Sequence, residues 1–230
     1  LLCVSLGLGA FHGTLHHLAM TKITKLYYGG IHANAYVVGE EGGPCFVVDF
    51  GYNRGHALEH YLSRHHSECL GVLLTHGHFD HIAGLCELEN PRFAPIYIGR
   101  EDERCLFDAD YNVSKLVEES PMALEENTMD IRLLDDGDAI ELGPWTIRVI
   151  ATPFHTAGSV CYLLEGEDVL FSGDTLFRFG IGRSDLKGSV PRLQSASLAK
   201  LKTLKPETRV YPGHGPMTSI ADERKYNDAF

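Results

Sequence analysis

The stretch Thr75-His76-Gly77-His78-Phe79-Asp80-His81 places four metal-ligating side chains, His76, His78, Asp80 and His81, within six residues. Imidazole nitrogens mixed with carboxylate oxygens suit a divalent transition cation. An added poly-His run would lack the interleaved Asp. A core does not hide three imidazoles and a carboxylate without partners, because each polar group left unpaired carries a desolvation penalty. The chemistry implied is activation of water and polarisation of a substrate oxygen. Three or four ligands saturate one cation, and further candidate ligands occur later in the chain, so two cations are expected.

The elements that must position this cluster are legible around it. Leu70-Gly71-Val72-Leu73-Leu74 reads as a buried strand and Ile82-Ala83-Gly84-Leu85 as the start of a helix. The cluster therefore lies in a strand-to-helix turn at the carboxyl end of a strand, where open α/β sheets bind their ligands. In an extended segment, residues two apart point the same way, which puts His76, His78 and Asp80 on one side and His81 beside them.

Upstream, Ile23–Tyr28, Ala35–Gly39 and Cys45–Asp49 read as strands with Gly-bearing turns between them. Asp49 ends the third, either bracing the His-rich turn or capping its own turn. An amphipathic helix is expected over His56–His66, with His60, His65 and His66 on its solvated face. Pro95–Ile98 reads as a strand and Glu101–Asp108 as a helix. Asp110–Thr128 is polar, irregular and long enough for a substrate lid. Within it, Asn112-Val113-Ser114 matches a glycosylation acceptor by accident. Later strands are expected over Met129–Leu134, Ala139–Leu142, Thr146–Ala151, Val160–Leu164, Val169–Ser172 and Arg209–Tyr211, and helices over Pro191–Leu204 and Ala221–Ala229. Thr146–Ala151 leads to His155, Val169–Ser172 to Asp174, and Arg209–Tyr211 to His214. Ser159 and Ser172 lie near these ligands without an evident base and read as structural. Two such strand-rich halves, with candidate ligands at strand ends in both, imply a four-layer αββα sandwich with the site in the cleft between halves.

With 230 residues, one large domain is expected. Residues 1–19 read as a leader or an added segment, since Met20-Thr21-Lys22 resembles a natural start, and residues 20–230 as the domain; His12, His16 and His17 carry no functional weight. A net charge of −11 without a basic stripe argues against a nucleic-acid partner. No run reaches membrane-spanning length. Cys3, Cys45, Cys69, Cys86, Cys105 and Cys161 form no compact framework, and several lie in apolar runs. Reduced thiols and a cytoplasmic location are the expectation.

The ordered set Thr75–His81, His155, Asp174 and His214 resembles the metallo-β-lactamase superfamily from about Lys22 onward. Gly173-Asp174-Thr175-Leu176-Phe177, Gly182-Arg183-Ser184-Asp185-Leu186 and Pro212-Gly213-His214-Gly215-Pro216 are similar to the glyoxalase II (hydroxyacylglutathione hydrolase) branch. The resemblance implies that His76, His78 and His155 hold one metal, that Asp80, His81 and His214 hold a second, and that Asp174 bridges both. Zinc is the expected metal, with iron or manganese as alternatives. It implies hydrolysis of a small-molecule thioester such as S-D-lactoylglutathione, with Asp80 orienting the attacking water; Arg183 either clamps a substrate carboxylate, which its guanidinium fork suits, or forms a structural pair with Asp185. Zinc β-lactamases commonly carry Cys where Asp174 stands, which argues against β-lactam hydrolysis. Two departures set the chain apart from the longer glyoxalase II enzymes. It ends at Phe230, where they continue into a helical region that contacts glutathione, and Arg183 and Asp185 replace a Lys and a Tyr. The resemblance is therefore to the short, single-domain hydrolases. Alternatives are a persulfide dioxygenase with one iron on His76, His155 and Asp174, a lactonase or phosphodiesterase, and a non-catalytic metal-binding protein.

Overall fold

The computed structural model describes residues 21–26, 33–40, 42–53, 55–117 and 121–230. The expectations for residues 1–19, including Cys3 and the three histidines there, lie outside the described residues, as do positions 27 and 28 of the first expected strand.

Among the described residues the strands form two six-stranded sheets and a short hairpin. The first sheet is built in sequence order from β1 (Lys22–Leu26), β2 (Ala35–Gly39), β3 (Pro44–Val48), β4 (Glu68–Leu73), β5 (Ile96–Gly99) and β6 (Ile131–Leu134). The second contains β7 (Ala139–Leu142), β8 (Trp145–Ala151), β9 (Val160–Leu164) and β10 (Val169–Gly173). After the hairpin of β11 (Leu176–Phe177) and β12 (Gly180–Ile181), it is completed by β13 (Arg209–Pro212) and β14 (Thr218–Ser219). The helices are α1 (Ala57–His65), α2 (Phe79–Ile82), α3 (Ser114–Val117), α4 (Gln194–Leu201) and α5 (Ile220–Tyr226).

Period-two alternation creates the layers. Tyr36, Val38, Phe46 and Val48 of the first sheet meet Ile147, Val149, Tyr162 and Phe171 of the second in the central core. Their strand neighbours Val37, Cys45 and Val47 point outward and pack with Leu58 of α1 and Ile82 of α2. On the far side, Cys161, Leu170 and Val210 pack under Leu201 of α4 and Ile220 of α5. The order helix, sheet, sheet, helix is the expected αββα sandwich.

Topology brings the functional ends together. The parallel pair β3 and β4 registers Val48 beside Leu73 and delivers Asp49 and the His-rich turn to one edge. The parallel pair β10 and β13 registers Gly173 beside Pro212 and delivers Asp174 and His214 to the same edge of the other sheet. Val160 N–H donates to the Thr75 carbonyl and Tyr162 Oη to the Leu74 carbonyl, stitching the two sheets beneath the site.

Four local expectations are refined. Glu101–Asp108 is a 3-10 helix over Arg100–Leu106 and not an α-helix. The segment after Asp110 contains α3. Asp80 lies in the first turn of α2, so helical rather than extended geometry sets its direction. Pro191–Leu204 divides into a 3-10 turn over Pro191–Leu193 followed by α4. The β11–β12 hairpin and β14 have two-residue strands, too short to show any periodicity.

Candidate metal centre

His76, His78, Asp80, His81, His155, Asp174 and His214 all converge at this edge. Their ligand atoms form three overlapping groups: His76, His78 and His155; His76, His81 and Asp174; and Asp80, His81 and His214. His76 Nε2 lies 3.1 Å from His78 Nδ1. His214 Nε2 lies 3.0 Å from Asp80 Oδ2. The Asp174 carboxylate stands between the two outer groups, with Oδ1 3.3 Å from His81 Nε2 and Oδ2 3.5 Å from His155 Nε2.

Several of these buried atoms have no protein partner. His78 Nε2, His81 Nε2, His155 Nε2 and Asp174 Oδ1 make no hydrogen bond among the described residues. Buried polar groups in native proteins are almost always paired. Imidazoles and carboxylates that face one another unpaired form a donor set suited to divalent cations, and these residues fit one.

The ring orientations come from partners outside the cluster. Asp49, at φ 56° just past β3, accepts from Thr75 N–H at 2.8 Å and holds His81 Nδ1 at 2.9 Å. The left-handed conformation is tolerated by Asp better than by most residues. Of the two alternatives for Asp49, these contacts are those of the brace on the His-rich turn. His155 Nδ1 donates to the Arg183 carbonyl at 2.7 Å, which leaves Nε2 facing the cluster. The His214 loop is fastened across the sandwich, where Asn34 Nδ2 and Tyr36 Oη donate to the Pro212 carbonyl at 2.9 and 2.7 Å. Gly213 is required here, because a Cβ would collide with Asp174 Oδ1 and the His81 ring.

Asp102 escaped sequence reading. It is fully buried, accepting from Gly77 N–H at 2.9 Å, Thr156 Oγ1 at 2.6 Å and Gly158 N–H at 2.7 Å. One carboxylate thus ties the first ligand turn to the His155 turn. Its sequence context, Arg100-Glu101-Asp102-Glu103-Arg104, reads as an exposed charged helix, and no local signal separates Asp102 from its neighbours. Burial raises the Asp102 pKa, and its hydrogen bonds oppose that rise.

Electrostatics divide the cluster. Burial, with His155 nearby, pushes the His78 pKa down to about 3, and burial among imidazoles holds His76 well below the ordinary range. His81 is buried too, but Asp49, Asp174 and Asp80 outweigh that burial and hold it well above its usual value. His214 is raised in the same way by Asp80 and Asp174. Asp174 is held far below the carboxylate range because His81, His155 and His214 overcome its burial.

Arg183 lines the cleft, but its guanidinium is bound by Asp185 through two hydrogen bonds of 2.6 and 2.7 Å. Ser159 Oγ bonds Thr156, and Ser172 Oγ donates to the Leu176 carbonyl, both structural contacts as expected. Asn112 is buried, with its side-chain amide donating to the Cys105 and Met122 carbonyls, so the acceptor pattern there serves packing. His60 and His66 are exposed, and the half-buried His65 ring packs on Tyr61. Cys45, Cys69, Cys105 and Cys161 are buried free thiols and Cys86 an exposed one. No helix among the described residues is long and apolar enough to cross a membrane.

Comparison with known proteins agrees with this geometry. The metallo-β-lactamase superfamily profile matches residues 28–214. A probable metallo-hydrolase, YqgX, of Bacillus subtilis is 35% identical over 90% of this chain and 96% of its own. A hydroxyacylglutathione hydrolase of a Bradyrhizobium species is 33% identical, but over 62% of this chain and 47% of its own. Among solved structures, the BLEG-1 B3 metallo-β-lactamase superposes with a TM-score of 0.82 at 35% identity, covering 90% of this chain and 98% of that one. TTHA1623 in a di-iron-bound form superposes with a TM-score of 0.76 at 31% identity, covering 90% and 100%.

Proposed function

The chain belongs to the metallo-β-lactamase superfamily and is a metal-dependent hydrolase; from that premise we propose that it holds two divalent cations and cleaves a carboxylic thioester to an acid and a free thiol. The observation that carries this reading is the Asp174 carboxylate, with one oxygen toward His81 and the other toward His155. A shared carboxylate offsets the repulsion between cations held ~3.5–4 Å apart. His76, His78 and His155 would hold one cation and Asp80, His81 and His214 the other, with Asp174 between them. Zinc is the first choice of metal, with iron or manganese as alternatives; the di-iron form of the similar TTHA1623 gives iron weight. When bound, the cations supply an ionised water and polarise the substrate carbonyl.

The chain's own residues do the rest. Asp80 lines the cleft with Oδ2 on His214, and its carboxylate would orient the attacking water by accepting a hydrogen bond from it. Asp49 and the Arg183 carbonyl hold the His81 and His155 rings, so little reorganisation accompanies the reaction. Phe79, Phe177 and Leu186 border the ligands and lower the local dielectric, which strengthens the field acting on developing negative charge.

S-D-lactoylglutathione is the first thioester to test, suggested by the sequence motifs and by the partial match to a hydroxyacylglutathione hydrolase. Metal-loaded protein is expected to contain two equivalents of metal and to bleach the thioester absorbance, losing turnover on chelation and regaining it on metal addition. No turnover of any thioester by fully loaded protein overturns the reading. One equivalent of iron with oxygen uptake on glutathione persulfide would replace it with the dioxygenase. The likeness to BLEG-1 favours a second reading, β-lactam hydrolysis, and a chromogenic cephalosporin in the same panel tests it.

A further inference from the structure

The cleft before the ligands has a volume of about 450 Å³. One side is the ligand cluster. The other is apolar, formed by Phe79, Val113, Leu116, Val117, Phe177 and Leu186. Arg183 is the one Lys or Arg in the described lining, and Asp185 already occupies the Nε–Nη2 edge of its guanidinium. A polar, anionic carrier calls for cations and hydrogen-bond donors along such a wall. This wall presents hydrocarbon.

The α3 part of the wall is conspicuous. Leu116 and Val117 are 71% and 57% exposed, large apolar side chains left uncovered beside a reactive site. The segment is firmly tied down. Val113 adopts φ 58°, a conformation that β-branched residues avoid, and such strain persists only where the surroundings overdetermine it. Asn112 supplies that determination: its amide donates to the Cys105 and Met122 carbonyls, and its Oδ1 accepts from Ser114 N–H at 3.0 Å. The Asn112 carbonyl accepts from Phe79 N–H at 2.9 Å, beside the ligand Asp80. The turn that carries Leu116 and Val117 is therefore fastened directly to the ligand turn.

We infer that this wall receives an apolar acyl chain, and that Leu116 and Val117 select thioesters carrying one over short hydroxyacyl ones. The carbonyl would lie at the ligands and the chain would run along α3, removing both side chains from water. The inference rests on the thioesterase reading but makes a separate demand on the substrate.

The test is a chain-length series from acetyl to octanoyl of N-acetylcysteamine thioesters with metal-loaded full-length protein, beside S-D-lactoylglutathione. kcat/KM is expected to rise about two- to threefold per added methylene from butanoyl to octanoyl, below the value for complete burial because the wall is open on one side. In Leu116→Ser the octanoyl-to-acetyl ratio should fall about tenfold, and in Val117→Ser by less. A flat series, or lactoylglutathione preferred over octanoyl thioester, overturns the inference and leaves the thioesterase reading standing. A second readout needs no turnover: calorimetric binding of acetohydroxamate, hexanohydroxamate and octanohydroxamate. Affinity rising with chain length, and losing that dependence in Leu116→Ser, supports the inference even where no thioester is cleaved. Equal affinities along that series overturn it.

Discussion

His76, His78, Asp80 and His81 occupy one strand-to-helix turn, whereas His155, Asp174 and His214 arrive from three separate strand ends of the other sheet. The first group is ordered mainly by local backbone. β4 runs into α2 within a few residues, and the turn cannot place one ligand without placing the rest. The second group has no such local coupling. His155 depends on the Arg183 carbonyl, and the His214 loop depends on Asn34 and Tyr36 of the opposite sheet. Asp102 and Asp174 join the two regions, Asp102 from behind through backbone amides and Asp174 from the front through the imidazoles. Half of the site is therefore as robust as one turn, and the other half is as robust as the packing of the two sheets.

The strongest way to break that relation is to remove the front link. Asp174→Ala should lower turnover at least about a thousandfold, since the contribution of a positioned cation amounts to several kcal/mol, and bound metal should fall to one equivalent or less. Elemental analysis together with a thioester assay checks both. If the variant keeps two equivalents and full activity, Asp174 does not bridge.

Removing the rear link comes next. Asp102→Ala leaves Gly77 N–H and Gly158 N–H buried without an acceptor, at about 1–3 kcal/mol for each unsatisfied group, and removes one partner of the Thr156 hydroxyl. The metal-free protein should lose about 3 kcal/mol in denaturant unfolding, with metal affinity falling alongside. An unchanged midpoint would mean that the two ligand turns are held by other contacts. A smaller effect is expected at Asp49→Asn, which keeps the shape but weakens the His81 contact; metal affinity should fall about thirtyfold while stability changes less.

Acidification should separate the two triads in a defined order. Depressed imidazoles such as His78, at about 3, stay neutral well below the ordinary histidine range, so protons do not compete there for a cation. His81 and His214 are raised, so their rings take up a proton at a higher pH than free histidine does. As pH falls, the cation on Asp80, His81 and His214 should leave before that on His76, His78 and His155. A pH titration of cobalt-substituted protein read by visible absorption checks the order; simultaneous release would count against the division. The smallest effect belongs to His60→Ala on the outer face of α1, where stability should change by no more than about 0.5 kcal/mol and metal content not at all.

Much of this was legible in advance. Period-two strands and the ligand turn each announce themselves within a few residues, because the side-chain direction in a strand and the compactness of a turn are properties of local backbone. The sequence by itself determined the longer strands of the two sheets, the strand ends that carry ligands and the identity of every residue in the cluster. It also led to one misreading. Asp80 was placed by extended-chain alternation, although α2 begins at Phe79 and turns it. The Arg183–Asp185 pair, one of the two roles expected for Arg183, is formed, and the Arg183 carbonyl, which no pattern singled out, orients His155. Only the tertiary structure revealed Asp102 as a buried tie, the strained Val113 and the uncovered Leu116 and Val117. Those properties belong to groups distant in sequence, Asp102 with Gly158 and Asn112 with Met122. A carboxylate in a charged stretch has no local feature that distinguishes burial from exposure; whether it meets water or two backbone amides is decided when the sheets pack.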